Sequence, residues 1–368
     1  MPADTRQTKT DSVVETLRGR VGDGTYTPGS VLPAERELTE EFGVSRVTVR
    51  NALERLERLR LVRREPGRGT FVLGHDGGGH IPRQVPSTVA LLCSQLTPSV
   101  ASPIAAGCSS AATAHRSQLL LCDTGGATFA EAQAKELLHL KTIYEQGVQG
   151  LLIWWQEGEA SATWLSRMLA DGRAVVMIDR YVPGVGADFV GIDDPAATAE
   201  AMGHLIQLGH RRIACVLNTL RVSTSAGRLA GYRSVHTKHG IPIRDEYVHI
   251  VEDWRADSAA RIVDSLLGLA EPPTGILAVN DYVAVQIIEA LAGSGVRVPQ
   301  DCAVVSFADM EIAQHYCIPL TTVHQPFRAM GETAIHLLSE RLETGRKEPR
   351  RVLLPTHLVV RRSFGSRP

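Results

Sequence analysis

From Ser87 onward the chain alternates short, fully apolar runs with amphipathic stretches, and that rhythm restricts it to very few architectures. Val89-Ala90-Leu91-Leu92 precedes 104–115, Leu119-Leu120-Leu121-Cys122 precedes 131–146, and Gly150-Leu151-Leu152-Ile153-Trp154 precedes 164–171, with Val175-Val176-Met177-Ile178 following. A strand that is apolar on both faces must be covered on both, and helices between successive strands do the covering, so a parallel α/β sheet is predicted. The rhythm restarts at Ile213-Ala214-Cys215-Val216-Leu217 and continues through Gly275-Ile276-Leu277-Ala278-Val279 and Ala303-Val304-Val305-Ser306-Phe307. Two doubly wound halves follow, with a ligand cleft between them beyond the carboxyl ends of the strands. A chain of 368 residues has room for these halves and one further domain.

The further domain lies at the amino end. Val13, Val14, Leu17 and Val21 share one helical face, with Asp11 as the expected cap and Gly22 and Gly24 as terminators. A second helix is expected over 34–42, a tight turn at Gly43, and a third helix capped by Ser45, with Val49, Leu53, Leu56 and 59–61 as its buried stripe. Arg46, Thr48 and Arg50 are left near its start on other faces, where they can enter a major groove. Arg donates twice to guanine, and hydroxyls suit phosphates or base edges. Strands at 61–64 and 70–72 flank Glu65-Pro66-Gly67-Arg68-Gly69, a wing whose glycines permit close approach and whose Arg68 suits a minor groove or its phosphates. Between Val44 and Thr70 eight Arg face three Glu, although the whole chain carries a formal charge of only -1. The basic module is masked by the rest of the chain.

Pro28-Gly29-Ser30-x-Leu32-Pro33-x-Glu35-Arg36-Glu37-Leu38, Phe42-Gly43-Val44-Ser45-Arg46-x-Thr48-Val49-Arg50-x-Ala52-Leu53 and Gly67-x-Gly69-Thr70-Phe71-Val72 resemble the GntR (gluconate-repressor) family over about residues 13–73. The resemblance implies a winged helix-turn-helix with DNA contacts from Arg36, Ser45, Arg46, Thr48, Arg50, Gly67 and Arg68. A merely solvated basic face is the plain alternative. No Gly-Lys-Ser/Thr follows Gly67, so a phosphate loop is not expected.

Residues 75–87 are rich in Gly and Pro without periodicity and read as a linker between domain 1–74 and domain 88–368. His75 and His80 within it read as solvated loop residues, and His204 and His210, six apart with no carboxylate partner, do not form a zinc motif. No cofactor and no metal are expected. The six Cys lack any C-x-x-C pair and read as reduced thiols, five of them in apolar or small-residue surroundings. The first twenty residues are polar, and no run approaches the ~18 apolar residues of a membrane span, so the expectation is a cytoplasmic protein.

At the strand ends of the α/β part stand Ser94, Asp179-Arg180 and Asn280-Asp281, with Thr224, Arg228, Trp254, Gln325 and Phe327 placed on loops. Asp and Asn suit vicinal hydroxyls, Arg forks across two oxygens, and an aromatic ring covers the C–H face of a sugar. Taken singly, each has a dull reading as an ion pair, a filler or a turn residue. His204-Leu205-x-x-Leu208-Gly209-His210-Arg211-Arg212-Ile213-Ala214, Gly227-Arg228-Leu229-Ala230-Gly231-Tyr232, Ala278-Val279-Asn280-Asp281, Val296-Arg297-Val298-Pro299-x-Asp301 and Pro319-Leu320-Thr321-Thr322-Val323-His324-Gln325-Pro326 together resemble the lactose-repressor (LacI) effector domain, itself similar to periplasmic sugar-binding proteins. The resemblance runs over nearly all of 87–362. It implies that Arg228 grips ligand oxygens, Trp254 stacks, and Asn280, Gln325 and Asp179-Arg180 complete the polar ring, with Ser94, Thr224 and Phe327 as weaker assignments.

Two departures stand out. Ser306-Phe307-Ala308-Asp309 carries Ala308 where relatives usually carry a ligand-binding carboxylate, and Ser102-Pro103-Ile104 occupies a first loop where relatives often offer aromatics. The head also differs from the lactose repressor's own, as in arabinose-type repressors that combine these two modules. The resulting expectation is a homodimeric, sequence-specific repressor of carbohydrate-metabolism genes, bound to double-stranded operator DNA and controlled by a sugar or related polyol between two lobes. A winged head on an aminotransferase-type enzyme is the alternative. It is opposed by the length of about 280 residues and by Lys135, Lys141, Lys238 and Lys347, none at a strand end. A transport solute-binding protein is opposed by the basic head.

Overall fold

The computed structural model describes residues 9–22, 25–26, 29–58, 61–65, 69–72, 88–94, 100–126, 128–156, 158–251 and 257–365. The chain divides into two compact units, 1–85 and 86–368.

In the first unit, helices α1 (Lys9–Gly22), α2 (Glu35–Phe42) and α3 (Arg46–Arg58) precede strands β1 (Val62–Glu65) and β2 (Gly69–Val72). The strands pair antiparallel from Val62↔Val72 to Glu65↔Gly69. Val13, Val14, Leu17 and Val21 of α1 pack with Leu38, Val49, Leu53, Leu56, Leu61 and Val72 into one core. That is the expected winged helix-turn-helix. Asp11 is the third residue of α1 rather than its cap, and its carboxylate lies 2.5 Å from the Arg55 guanidinium of α3. Gly43 ends α2 at φ 59, a left-handed turn that glycine adopts without steric cost.

The second unit holds two six-stranded sheets. In the amino lobe β3 (Thr88–Cys93), β4 (Gln118–Asp123), β5 (Gly150–Ile153), β6 (Ala174–Ile178) and β7 (Asp188–Gly191) are joined by α4 (Ala101–Ala114), α5 (Phe129–Glu145) and α6 (Glu159–Ala170). The carboxyl lobe takes α7 (Asp194–Gln207), β8 (Ile213–Asn218), α8 (Ser223–Lys238), β9 (Val248–Val251), α9 (Ser258–Leu267), β10 (Gly275–Ala278), α10 (Asp281–Gly293), β11 (Ala303–Ala308), α11 (Glu311–His315) and β12 (Thr321–His324). The chain then returns: α12 (Phe327–Thr344) packs on α4 and the amino-lobe sheet, β13 (Arg351–Leu353) joins β7, and β14 (His357–Val359) crosses back beside β12.

The sheet orders are β13-β7-β6-β5-β3-β4 and β14-β12-β11-β10-β8-β9. Every pairing is parallel except β12 with β14. The doubly wound halves are as expected, but they are not consecutive in sequence, because the last two strands are dealt one to each lobe. Three crossings, at 192–193, 325–326 and 354–356, tie the lobes together, and the second carries Gln325. The strands β7, β9, β12, β13 and β14 lie outside the apolar runs that mark the rest.

Candidate functional site

In the head, the hydroxyl of Ser45 accepts from the Thr48 backbone N–H at 3.2 Å and shares a 2.8 Å hydrogen bond with the Thr48 hydroxyl. This caps α3 as its sequence predicts. Val49, Leu53 and Leu56 are buried, while Arg46 and Arg50 near the start of the helix are both exposed. Between them Val47 is 69 % exposed, an apolar side chain that the periodicity argument passed over. Arg36 is exposed on α2 beside Glu40 at 3.1 Å. Glu35 accepts from Arg64 at 2.8 Å and from Arg50 at 3.4 Å, which ties α2, α3 and β1 together. Gly67 and Arg68 lie outside the described residues, as do the linker 75–87 and Trp254.

Between the lobes, Asp179, Arg180, Thr224, Arg228, Asn280, Gln325 and Phe327 line one cavity of 210 Å³. Thr224 and Arg228 reach it from the first turns of α8 and Phe327 from the first turn of α12, not from loops as the sequence reading has them. Ser102-Pro103-Ile104 likewise belongs to the first turn of α4. Ser94 follows β3 and is not among the residues lining this cavity. Asp281 turns away, fully buried under the floor: its Oδ1 accepts from Ser306 at 2.5 Å and Thr322 at 2.7 Å, and its Oδ2 from the Met310 N–H at 2.7 Å. Burial raises its carboxyl to about 6, with those three donors pulling the other way.

The site is organised around buried Arg228. Its Nε donates to Asp194 at 2.8 Å, Nη1 to the Val279 carbonyl at 2.5 Å and Nη2 to Gln325 Oε1 at 3.4 Å, and it lies 4.0 Å above the Phe307 ring. Asp194 comes close because α7 and α8 touch at Gly227, where a Cβ would meet the Asp194 Cβ at 2.9 Å. Burial raises the Asp194 carboxyl, and the Arg228 charge opposes that rise. From Gln325 the network continues into the amino lobe. Its Nε2 donates to Asp179 Oδ1 at 3.1 Å, while Asp179 Oδ2 accepts from the Trp154 indole at 3.0 Å. Arg180 stacks on Trp154, 4.3 Å from guanidinium to ring. One chain of polar contacts therefore spans both lobes, with a second bridge where the Tyr181 N–H donates to Ser223 at 3.0 Å.

Asp179 (φ 64) and Ala308 (φ 116) turn sharply at the ends of β6 and β11, a conformation that non-glycine residues rarely adopt and that concentrates at functional sites. Trp154, Asn218, Ser225 and Tyr282 also line the cavity without having been singled out in the sequence. Trp154 is the aromatic wall, and its signal was present at the end of the β5 run. His210 is buried before β8, and its Nδ1 shares a 3.1 Å hydrogen bond with the Thr274 hydroxyl.

Residues 9–72 match the family described as bacterial regulatory proteins, gntR family, and residues 202–364 match the periplasmic binding protein-like domain. The chain is 31 % identical to the transcriptional regulator DegA of Bacillus subtilis over 67 % of this chain and 71 % of DegA. It is 25 % identical to the arabinose metabolism transcriptional repressor of Halalkalibacterium halodurans over 97 % of this chain and 96 % of that one. Among solved structures, the transcriptional regulator CelR in its cellobiose complex superposes with a TM-score of 0.67 at 25 % identity, covering 99 % of this chain and all of CelR.

A winged DNA-binding head joined in one chain to a clefted two-lobed domain defines a ligand-responsive transcription regulator. The aminotransferase alternative gains no support, since these relatives are transcription regulators. Among the described residues no helix is long and apolar enough to cross a membrane. The chain belongs to the family of LacI-type transcriptional regulators and carries a GntR-type head.

Proposed function

We propose that this regulator is a cytoplasmic homodimeric repressor of carbohydrate-metabolism genes, released from its operator when a sugar or related polyol enters the 210 Å³ cavity. The head is residues 1–74, the linker 75–87 and the effector domain 88–368. Arg46 and Arg50 read base edges, Val47 offers an apolar contact to a thymine methyl, and Ser45 and Thr48 set the helix start against the backbone. Arg36, Gly67 and Arg68 hold the flanking phosphates and the wing. In the cleft, Asp179, Arg180, Thr224, Asn280 and Gln325 bind hydroxyl groups, Arg228 orders Gln325, and Phe327 borders the ring; Ser94 and Trp254 complete the set that the resemblance implies.

The observation that carries this reading is the Arg228–Gln325–Asp179 chain across the cleft. A hydroxylated ligand that replaces the 3.4 Å and 3.1 Å contacts with its own changes how the lobes are held, which is the differential interaction a ligand needs to shift a conformational equilibrium. The arabinose metabolism repressor and the cellobiose-bound CelR support a carbohydrate.

Operator binding of the intact chain, measured by fluorescence anisotropy against the promoter region of its own gene with and without sugars, tests the proposal. The expected result is a saturable preference over bulk duplex that one sugar abolishes, and that Arg46→Ala removes without changing the melting temperature and Arg50→Ala removes with at most a small drop in it. No preference under either condition rejects it.

A further inference from the structure

A separate cavity lies away from the cleft, at the amino ends of the carboxyl-lobe strands. Arg212 stands just before β8, Thr274 just before β10 and Cys302 just before β11, and all three border a space of 250 Å³ that α9 and α10 also line. The same three strands lead at their other ends to Asn218, Asn280 and Ala308 in the cleft. The two cavities share no lining residue. Ligands of parallel sheets gather at carboxyl strand ends, so the strand pattern alone gives no reason to look here.

The interior is apolar. Val263, Leu266, Ile276, Leu291 and Cys302 are buried and form its floor. Burial pushes the Cys302 thiol up to about 12, which keeps it neutral. Water inside finds polar partners only at the rim, so carbon is the favoured filling. The rim is charged, and its charges do not cancel. Asp301 is gripped on both oxygens by Arg297 at 2.8 Å, and Glu271 accepts from Arg244. The Glu271 carboxyl is held below its usual value chiefly by Arg244, with the Arg212 charge a lesser pull. Arg212 is half-buried, and its Nε donates to the Pro272 carbonyl at 2.9 Å, while Nη1 and Nη2 hydrogen-bond to no described residue. Three guanidinium groups thus face two carboxylates, and the Arg212 fork is left over.

We propose that this cavity is a second ligand site, for a small carboxylic acid with a compact apolar body, of the size and shape of benzoate. The ring fills the floor and the carboxylate takes the Arg212 fork, whose paired N–H groups match two carboxylate oxygens. The 250 Å³ equals about eight water volumes of ~30 Å³ each, which suits a ligand of about nine non-hydrogen atoms and is too small for a drug-sized one. The site is independent of the sugar reading of the cleft.

Isothermal titration of the full chain with benzoate tests it, with benzamide as the control for charge and acetate as the control for the apolar body. Benzoate is expected to saturate one site with a Kd of about 1 mM or tighter, and each control to bind at least about ten-fold more weakly. Arg212→Gln should bring benzoate to the level of benzamide, and Val296→Phe, which fills the space, should remove both. Arg212 is a half-buried rim residue, so its variant tests the site even where Val296→Phe fails to fold. Benzoate that binds no tighter than the controls, that binds Arg212→Gln as well as wild type, or that is lost in the cleft variant Arg180→Ala, overturns the proposal.

Discussion

Glu136 in the amino lobe and Asp281 in the carboxyl lobe are both fully buried, yet their surroundings treat them in opposite ways. Asp281 starts α10 and accepts from Ser306, Thr322 and the Met310 N–H, so both of its oxygens are used. Glu136, mid-helix in α5, accepts from the Gln156 N–H at 2.7 Å through one oxygen, while Oε1 has no hydrogen-bonded partner. Burial raises both carboxyls. Glu136 comes to about 7 from an ordinary 4.5 and Asp281 to about 6 from 3.8, rises of similar size that nearby donors oppose in both cases. Equal burial thus does not mean equal role: donors make Asp281 a structural staple under the Ala308–Met310 wall, whereas Glu136 is a carboxyl pushed up to about 7 near the cavity-lining Arg180.

The largest effect expected from that difference is for Asp281→Ala. Removing the carboxylate strands two hydroxyls and a backbone N–H in a buried site, and each stranded group costs about 1–3 kcal/mol. Urea unfolding at pH 7 should show this loss. A loss below about 1 kcal/mol would mean that the three hydrogen bonds do not hold the wall in place.

Glu136→Gln sharpens the contrast through pH. The Glu136 carboxyl is pushed up to about 7 in the fold from its ordinary value of 4.5, so the folded state binds its proton more tightly. Its contribution to stability is fully present below 4.5 and is lost as pH rises through 7, by up to about 3 kcal/mol. Asp281, raised to about 6, is present in both proteins and so cancels from their difference. Between pH 5 and 7 wild type should therefore lose stability that Glu136→Gln keeps, read as diverging unfolding midpoints. Parallel curves would show that Glu136 does not titrate in this window.

How much of this was legible in sequence depends on whether a residue's partner is near it along the chain. The apolar runs at β3, β5, β6, β8, β10 and β11 announce themselves because every side chain in them is buried by helices on both faces. Strand β7 begins with Asp188, a charged residue in a fully buried strand, tolerated because Arg346 reaches it at 2.8 Å from far along the chain. Strand β12 opens on Thr321 and Thr322, whose hydroxyls are satisfied by Arg361 and Asp281. Neither pairing has a local signature. The same holds in the cleft, where Asp179, Asn280 and Gln325 were legible from strand ends and motif. Asp194, the partner that occupies Arg228, lies one helix away in sequence and reads as an ordinary capping-region acid. Trp154 looked like core because it closes an apolar run, while Trp254 drew the aromatic assignment.

Arg180→Ala should be the mildest of these changes for stability and the most informative about which lobe reads the ligand. Its side chain is 20 % exposed and stands 4.0 Å from Asp179, so the ion pair is loose, and the stacking on Trp154 adds little more. Together they are worth about 1 kcal/mol. Losing this cation removes a charge that favours ionised Glu136, so the pH at which the wild-type curve bends should move upward. Effector affinity should fall at the same time, because Arg180 faces the cavity while Asp281 only supports it. A variant that loses sugar binding with a nearly unchanged unfolding midpoint would separate recognition by the amino lobe from support by the carboxyl lobe. Full sugar affinity in Arg180→Ala would instead leave recognition to Asp179, Thr224, Asn280 and Gln325.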